Sequence, residues 1–152
     1  MPHTERLAEI VEAVERRVPF NSVLGLRDFR VEDGMTRARV PMRDELIGNF
    51  ERRTLHGGVI SATLDVVGGI AALFGAAGMH IPETEEEGLA IFANLGTIDL
   101  RVDYLRRGKG AWFDASAEVI RTGKRVVVTR MEMLNDESKL IAVGTGTYIV
   151  GA

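Results

Sequence analysis

The amino-acid sequence predicts an α+β fold in which an antiparallel sheet of about six strands wraps around one long central helix, with an extra helix at the N-terminus. Three observations support this prediction. A mostly apolar run with helical periodicity occupies residues 55–78, two strand-like segments precede it, and four more follow it in succession. Because neither a linker nor an internal repeat divides the chain, we expect residues 1–152 to form a single domain.

The overall composition excludes several classes of function. The chain carries a net charge of -3 and no cysteine, which argues against general nucleic-acid binding and excludes disulfides, thiolate zinc sites and cysteine nucleophiles. No histidines or acidic residues have the spacing of a metal site, so we predict that the protein binds no metal and no other cofactor. The first residues lack the apolar core of a signal peptide, and we therefore expect a cytoplasmic protein.

The segment before the long apolar run is predicted to contain one helix and two strands. Thr4 is the expected N-cap of the helix, and Pro19 is expected to end it. The strands are joined at a turn in which Gly34 supplies a positive φ. Residues 43–54 are polar and are expected to be irregular. The expected bounds are residues 4–18 for the helix, and 23–31 and 35–42 for the strands.

The long apolar run is predicted to be the central helix, and its two faces differ. Large apolar residues occupy one stripe, which we expect to pack into the core. The other stripe consists of small residues that allow a ligand or another backbone to come close, and Asp65 lies near its middle. The large stripe contains Ile60, Leu64, Val67, Ala71 and Phe74, and the small stripe contains Gly58, Ser61, Ala62, Gly68, Gly69, Ala72 and Ala76.

Two features of this helix indicate function. A carboxylate in a packed stripe is desolvated, so we expect Asp65 to bind or react with a substrate, the alternative being a structural carboxylate that is only hydrogen-bonded. Gly57 and Gly58 fall where the helix begins, and their N–H groups lack partners within the helix. An anion or a carbonyl oxygen can approach there. A membrane-spanning helix is not expected, because the glycines and Asp65 are costly in lipid.

The second half of the chain is predicted to be a loop followed by a meander of four strands. Gly78 is expected to end the central helix, and the acidic run 83–87 to form a solvated loop. In the first strand of the meander, apolar and polar residues alternate, which places Thr97 on the face opposite Leu100. The expected strands cover residues 97–105, 111–120, 125–134 and 140–150.

The start of the central helix resembles a known family. The run Leu55-His56-Gly57-Gly58-Val59, with Asp65 nine residues after His56, is similar to the hotdog-fold acyl-CoA thioesterases of the phenylacetate-degradation (PaaI) type. The strand that begins at Thr97 also resembles the corresponding strand of that family, and the similarity extends from about residue 46 to the C-terminus. The resemblance implies a hotdog fold and hydrolysis of an acyl- or aryl-acyl-CoA to the free acid and coenzyme A.

The resemblance also implies roles for individual residues. Asp65 would act on the thioester as general base or nucleophile, the N–H of Gly57 would donate to the thioester carbonyl oxygen, and His56 would support the loop beside it. Asn49 corresponds to a preceding asparagine of the family, and Thr97 to a hydroxyl group that orients water. The chemistry agrees, because thioester hydrolysis requires a base or nucleophile, an oxyanion donor and a water.

Two basic clusters are candidates for binding the phosphates of coenzyme A, which is part of the substrate. Arg106, Arg107 and Lys109 form a turn with glycines between them, and Arg52 and Arg53 form a second cluster. Arginine and lysine at such turns can bind phosphate oxygens. The turn of Arg106, Arg107 and Lys109, called the basic turn below, is the predicted coenzyme A site together with Gly58.

Two other functions remain compatible with the sequence. A hotdog-fold hydratase or dehydratase also carries an acidic residue on this helix and pairs it with a histidine, a role open to His56. The second is a non-catalytic acyl-CoA-binding protein that acts as a sensor. Such a sensor would normally need an added DNA-binding segment, and the first twenty residues are too short and too acidic for one. Release of free thiol from acyl-CoA distinguishes these alternatives.

The spacing of two groups on the helix predicts a dimer. Gly57 and Asp65 lie eight residues apart, so their backbones are about 12 Å apart at a rise of about 1.5 Å per residue. A donor and a base must both lie about 3 Å from one reacting group. Two antiparallel helices related by an axis near Ser61 would bring Asp65 of one chain to Gly57 of the other. We therefore expect a homodimer with shared sites, as in the resembling thioesterases, and a tetramer built from two such dimers.

Overall fold

A computed structural model describes residues 2–77 and 82–151 of the chain. It confirms the α+β architecture, with a long helix against a six-stranded antiparallel sheet and additional helices at the N-terminus. The helices are α1 (Pro2–Arg17), α2 (Pro19–Leu24), α3 (Gly57–Ala77) and α4 (Glu85–Ala93), with a 3-10 helix at Asp44–Leu46. The strands are β1 (Arg27–Glu32), β2 (Met35–Pro41), β3 (Ile47–Asn49), β4 (Thr54–Leu55), β5 (Gly96–Tyr104), β6 (Trp112–Thr122), β7 (Val126–Asn135) and β8 (Leu140–Ile149).

The order of strands in the sheet is β1-β2-β6-β7-β8-β5, and every neighbouring pair is antiparallel. Strands β1 and β5 therefore form the two edges. The short strands β3 and β4 pair separately and lead the chain into α3. Helix α3 follows the second strand of the main sheet, as the sequence predicts, and the meander of four strands follows it.

Helix α3 is the centre of the hydrophobic core. Ile60, Leu64 and Val67 are at most 2% exposed and belong to the same cluster as Phe113 and Met131 of the sheet, which confirms the large stripe. α3 is long and apolar enough to span a membrane by composition, but 61% of the most apolar part of the helix is buried inside the protein. It is the core helix of the domain.

The other side of α3 is covered by the added helices. Val11 and Val14 of α1 pack with Ile70 of α3, and Gly88 allows α4 to approach Ile10, since a Cβ there would lie 3.1 Å from the Ile10 side chain. An ion pair between Arg17 and Glu85, at 2.9 Å, also joins α1 to α4. The N-terminal helix is therefore part of the core.

The prediction for the N-terminal segment, residues 2–26, is wrong in two respects. Helix α1 begins at Pro2, before the expected N-cap Thr4, and Pro19 starts α2 where a loop and strand were expected. Proline suits the first position of a helix because its missing N–H would have no partner there. Gly25 then ends α2 in the left-handed region, with φ at 71°, and β1 begins only at Arg27.

Two segments expected to be irregular contain secondary structure. Residues 43–54 include the 3-10 helix and the β3–β4 pair. The acidic run is partly the first turn of α4, because the side chain of Thr84 accepts a hydrogen bond from the N–H of Glu87 and three glutamates favour a helix N-terminus. The expected helix end at Gly78 lies outside the described residues.

The predicted face of Thr97 is also wrong. Pairing between β5 and β8 shifts between Thr97 and Asp99, so Ile98 is an extra residue in the strand. A bulge of this kind reverses the alternation of side chains along the strand. Thr97 consequently points toward α3, on the same side as Leu100, whereas Ile98 is 57% exposed.

Candidate active site

His56 organises the start of α3. Its Nδ1 accepts a hydrogen bond of 2.8 Å from the N–H of Gly58, so this nitrogen carries no proton. Its own N–H donates to the carbonyl oxygen of Leu46, and its carbonyl oxygen accepts from the N–H of Val59. The N–H of Gly58 is thus used within the chain, and a Cβ on Gly58 would lie only 2.9 Å from the His56 ring.

Gly57 has a free N–H and an aromatic neighbour. Among the hydrogen bonds of residues 2–77 and 82–151, none uses this N–H. The hydroxyl of Tyr104 donates to the carbonyl oxygen of Gly57 at 3.2 Å, and the Tyr104 ring lies 3.3 Å from where a Cβ would stand. Sequence reasoning missed Tyr104, because its place at the end of β5 does not indicate a contact with the helix.

Asp65 is half-buried and is held by hydroxyl groups from two strands. Its Oδ1 accepts hydrogen bonds from the Thr97 hydroxyl at 2.9 Å and from the Tyr148 hydroxyl at 3.2 Å. The Tyr148 hydroxyl also lies 3.1 Å from the carbonyl oxygen of Asp65. Within the described part of the chain, Oδ2 has no hydrogen-bond partner. One carboxylate oxygen is therefore positioned, and the other can take up a proton.

Tyr148 is the functional candidate that the sequence did not reveal. It is 1% exposed, and its burial, together with the charge of Asp65, raises the pKa of its hydroxyl. The hydroxyl therefore stays protonated and can donate to Asp65. Gly68 and Gly146 make room for it: a Cβ on Gly68 would overlap the Tyr148 hydroxyl, and one on Gly146 would lie 2.6 Å from the ring. Part of the small stripe is thus covered by the Tyr148 side chain of the same subunit.

Two cavities adjoin these groups. One, of about 200 Å³, lies among α1, α2, α3, α4 and the start of β5, and its lining includes Asp65, Thr97 and Tyr148. The other, of about 400 Å³, is lined by Gly57, Tyr104, Arg106 and Arg107 among others. The structure therefore brings the basic turn next to the helix start.

Of the remaining predicted residues, Asn49, Arg53 and Arg106 have local partners, and the guanidinium of Arg106 donates a hydrogen bond of 3.0 Å to the carbonyl oxygen of Leu140. The side-chain oxygen of Asn49 accepts a hydrogen bond of 3.0 Å from the N–H of Arg52, in the turn between β3 and β4, and Asn49 lines neither cavity. Arg53 pairs with Asp44 at 2.6 Å. In the part of the chain that the structure describes, Arg106, Arg107 and Lys109 form no ion pair, and no three potential metal ligands cluster.

The close approach of Tyr148 to α3 predicts opposite effects for two neighbouring glycines. Gly68→Ala should lower the melting temperature and displace the Tyr148 hydroxyl from Asp65, whereas Gly69→Ala, whose nearest contact would be an ordinary 3.5 Å, should be neutral or slightly stabilising through higher helix propensity. Thermal unfolding measures both. Adding Tyr148→Phe to Gly68→Ala should restore part of the lost stability, and equal melting temperatures for the two alanine variants would contradict the packing described.

Comparison with known proteins identifies similar chains. The family model described as "Thioesterase superfamily" matches residues 53–142. The medium/long-chain acyl-CoA thioesterase YigI of Escherichia coli K12 is 39% identical over 134 residues, which cover 88% of this chain and 86% of YigI. A crystal structure from Shewanella oneidensis, described as related to the thioesterase superfamily, has a TM-score of 0.89 and 44% identity and covers 98% of this chain and 97% of that chain. The PaaI protein of the E. coli phenylacetic acid degradation operon shares the fold, with a TM-score of 0.75, 16% identity, and coverage of 98% of this chain and 96% of PaaI.

Proposed function

Because this chain belongs to the thioesterase superfamily and is an acyl-CoA thioesterase, we propose that it hydrolyses medium- and long-chain acyl-CoA with Asp65 as the general base. The single observation that carries the assignment of Asp65 is its position: a half-buried carboxylate beside a cavity, with one oxygen held by two hydroxyl groups. The chain-length class is taken from the name of the similar E. coli thioesterase. The sequence resemblance also suggests aryl-acyl groups, which are a second substrate class to test.

The proposed reaction uses a water between Asp65 and Thr97. Since the Thr97 hydroxyl donates to Oδ1 of Asp65, its lone pairs can accept a hydrogen from this water. The water gives its other proton to Oδ2 as its oxygen attacks the thioester carbon. Collapse of the tetrahedral intermediate breaks the carbon–sulfur bond, and the proton moves from Asp65 to the leaving thiolate of coenzyme A. The products are the free acid and coenzyme A.

The oxyanion of the intermediate requires donors, and the N–H of Gly57 is the proposed one. Gly57 and Asp65 stand about 12 Å apart along α3, so we propose that the two come from different subunits. Edge strand β5 supports such a dimer, because Ile98 and Tyr104 on it are more than half exposed, and uncovered edges favour pairing between chains. Each dimer would hold two sites, and two dimers would form a tetramer.

Two further proposals concern the surroundings of the enzyme. Acyl-CoA is its partner, with neither nucleic acid nor a membrane required, and the cytoplasm is its proposed location. The coenzyme A phosphates are proposed to bind at the basic turn, which lies beside Gly57. The backbone of this turn is anchored, since the carbonyl oxygen of Gly108 accepts a hydrogen bond of 2.8 Å from the N–H of Leu55.

One assay tests both the substrate class and the phosphate site. It measures the release of free thiol from acyl-CoAs of increasing length, from hexanoyl- to palmitoyl-CoA, and from phenylacetyl-CoA. Neutralising Arg106, Arg107 and Lys109 together should raise KM for every acyl chain by at least about tenfold and leave kcat nearly unchanged, because charge-assisted hydrogen bonds to phosphate are lost in ground and transition state alike. The salt dependence of KM should also weaken.

The matched control neutralises Arg121, Lys124 and Arg125, three exposed cations at the turn between β6 and β7, and should leave KM unchanged. An unaltered KM in the first variant would move the phosphates elsewhere, with Arg52 and Arg53 as the next candidates. Failure of every thioester to release thiol would contradict the proposed function itself.

A further inference from the structure

One polar side chain in the cavity beside Asp65 has no partner. Asn21 of α2 is 1% exposed, and neither its Oδ1 nor its Nδ2 forms a hydrogen bond within the described part of the chain. It lines the same cavity of about 200 Å³ as Asp65 and Thr97. Two hydrogen bonds fix its backbone. The N–H of Asn21 donates to the carbonyl oxygen of Val18, and the carbonyl oxygen of Asn21 accepts from the N–H of Leu26.

An unpaired buried amide needs an explanation, because it loses its hydrogen bonds to water and gains none in return. Helix packing alone would be served better by an apolar side chain of the same size. Asp65, Thr97 and Tyr148 also line the cavity but form no hydrogen bond with the amide. Much of the remaining lining is apolar and includes Val14, Val18, Ile70 and Phe92. The amide is therefore available to a polar group of whatever enters the cavity.

The chemistry of the cavity defines what can enter. Its volume of about 200 Å³ equals that of roughly six or seven water-sized groups at about 30 Å³ each, and its apolar walls suit a short hydrocarbon chain attached to a thioester at Asp65. A hydroxyl on that chain can accept from Nδ2–H and donate to Oδ1 of Asn21, so that both amide groups are satisfied. A keto oxygen can only accept, and a saturated chain does neither.

On the basis of the proposed function, we infer that this cavity is the acyl site and that Asn21 selects acyl-CoA substrates with a hydroxyl group on the acyl chain. Asn21 is thus a specificity-determining residue contributed by α2, a segment that the family model, which begins at residue 53, does not include. Sites that hydrogen-bond a substrate hydroxyl discriminate strongly against the analogue that lacks it, because their polar groups are then left buried and unpaired.

The experiment compares octanoyl-CoA with β-oxooctanoyl-CoA and with a series of monohydroxylated octanoyl-CoAs. Each member of the series carries a single hydroxyl group, at a different carbon from β to ω. In the wild type, at least one hydroxylated chain should exceed octanoyl-CoA in kcat/KM by about tenfold or more, and the keto analogue should gain less. In Asn21→Leu the ratio of the preferred hydroxylated chain to octanoyl-CoA should fall to one or below. Asn21→Ala should lose the preference as well and serves if the leucine variant does not fold.

A shape control and a stability measurement complete the design. Phe92→Leu alters the same cavity without changing its polarity and should keep the hydroxyl preference. The melting temperature of the ligand-free Asn21→Leu protein should rise, because an unpaired amide is removed, whereas a structural Asn21 would make it fall. Equal kcat/KM for all chains in the wild type, or a preference that survives in Asn21→Leu, overturns the inference. Absence of thiol release from every member would instead overturn the proposed function.

Discussion

Replacing Asp65 with asparagine is expected to lower kcat for acyl-CoA hydrolysis by about a hundredfold or more. Asparagine has nearly the same shape, and its amide oxygen can still accept the hydrogen bonds that Thr97 and Tyr148 donate to Oδ1. It cannot take the proton of the attacking water at the other position. Steady-state thiol release measures the loss. Asp65→Ala should be equally inactive because it removes the carboxylate, and it should keep the fold because its neighbours on that face of the helix are small.

The control for this variant is Asp99→Asn, which removes an exposed carboxylate two residues beyond Thr97 and should retain full activity. The elution volumes of both Asp65 variants should match the wild type, and so should the melting temperature of Asp65→Asn, which keeps the acceptor for Thr97 and Tyr148. If both Asp65 variants keep more than about a tenth of the wild-type activity, Asp65 is not the general base, because a general base typically raises the rate by about a hundredfold or more.

Mixing two inactive variants, Asp65→Ala and Gly57→Pro, is expected to restore roughly a quarter of the wild-type activity if the sites are shared across a two-fold dimer. Proline removes the N–H of Gly57 at the first position of α3, where proline is tolerated and where the described chain makes no hydrogen bond to lose. Half of a random equimolar mixture is heterodimer. Each heterodimer has one site with both an intact Asp65 and an intact Gly57, and one site with neither.

Two controls separate the explanations. Gly57→Ala adds a Cβ near Tyr104 but keeps the N–H, so it should retain much more activity than Gly57→Pro if the N–H is the oxyanion donor. A mixture of Asp65→Ala with Asp65→Asn carries both lesions at one residue and should recover nothing. If the first mixture, after subunits have been exchanged by unfolding and refolding together, also recovers nothing at any ratio, each chain contains its own site and the shared-site dimer is wrong.

Local patterns in the sequence determined the parts of this protein that depend on neighbouring residues. The large stripe of α3 and the approximate bounds of β6, β7 and β8 follow from helical periodicity and from the turn residues between the strands, signals that lie within a few residues of one another. The placement of Asp65 on the central helix and of Gly57 at its start therefore followed from the order of residues. Pro19, which starts α2, and Thr84, which caps α4, are visible in the sequence. Each is compatible with more than one local structure until its packing is known.

Only the tertiary structure decided which side chains contact Asp65. Tyr148 is 83 residues away in the chain, and its contact depends on strand order, on register and on Gly68 leaving space beside the helix. The bulge at Ile98 turns Thr97 toward the same carboxylate, and a shift of one residue in pairing reverses every side chain beyond it without a signal in the alternation. Asn21 reaches the cavity because Pro19 starts a helix and α1 packs across α3. Contacts between distant segments select these partners, and periodicity within one segment carries no information about them.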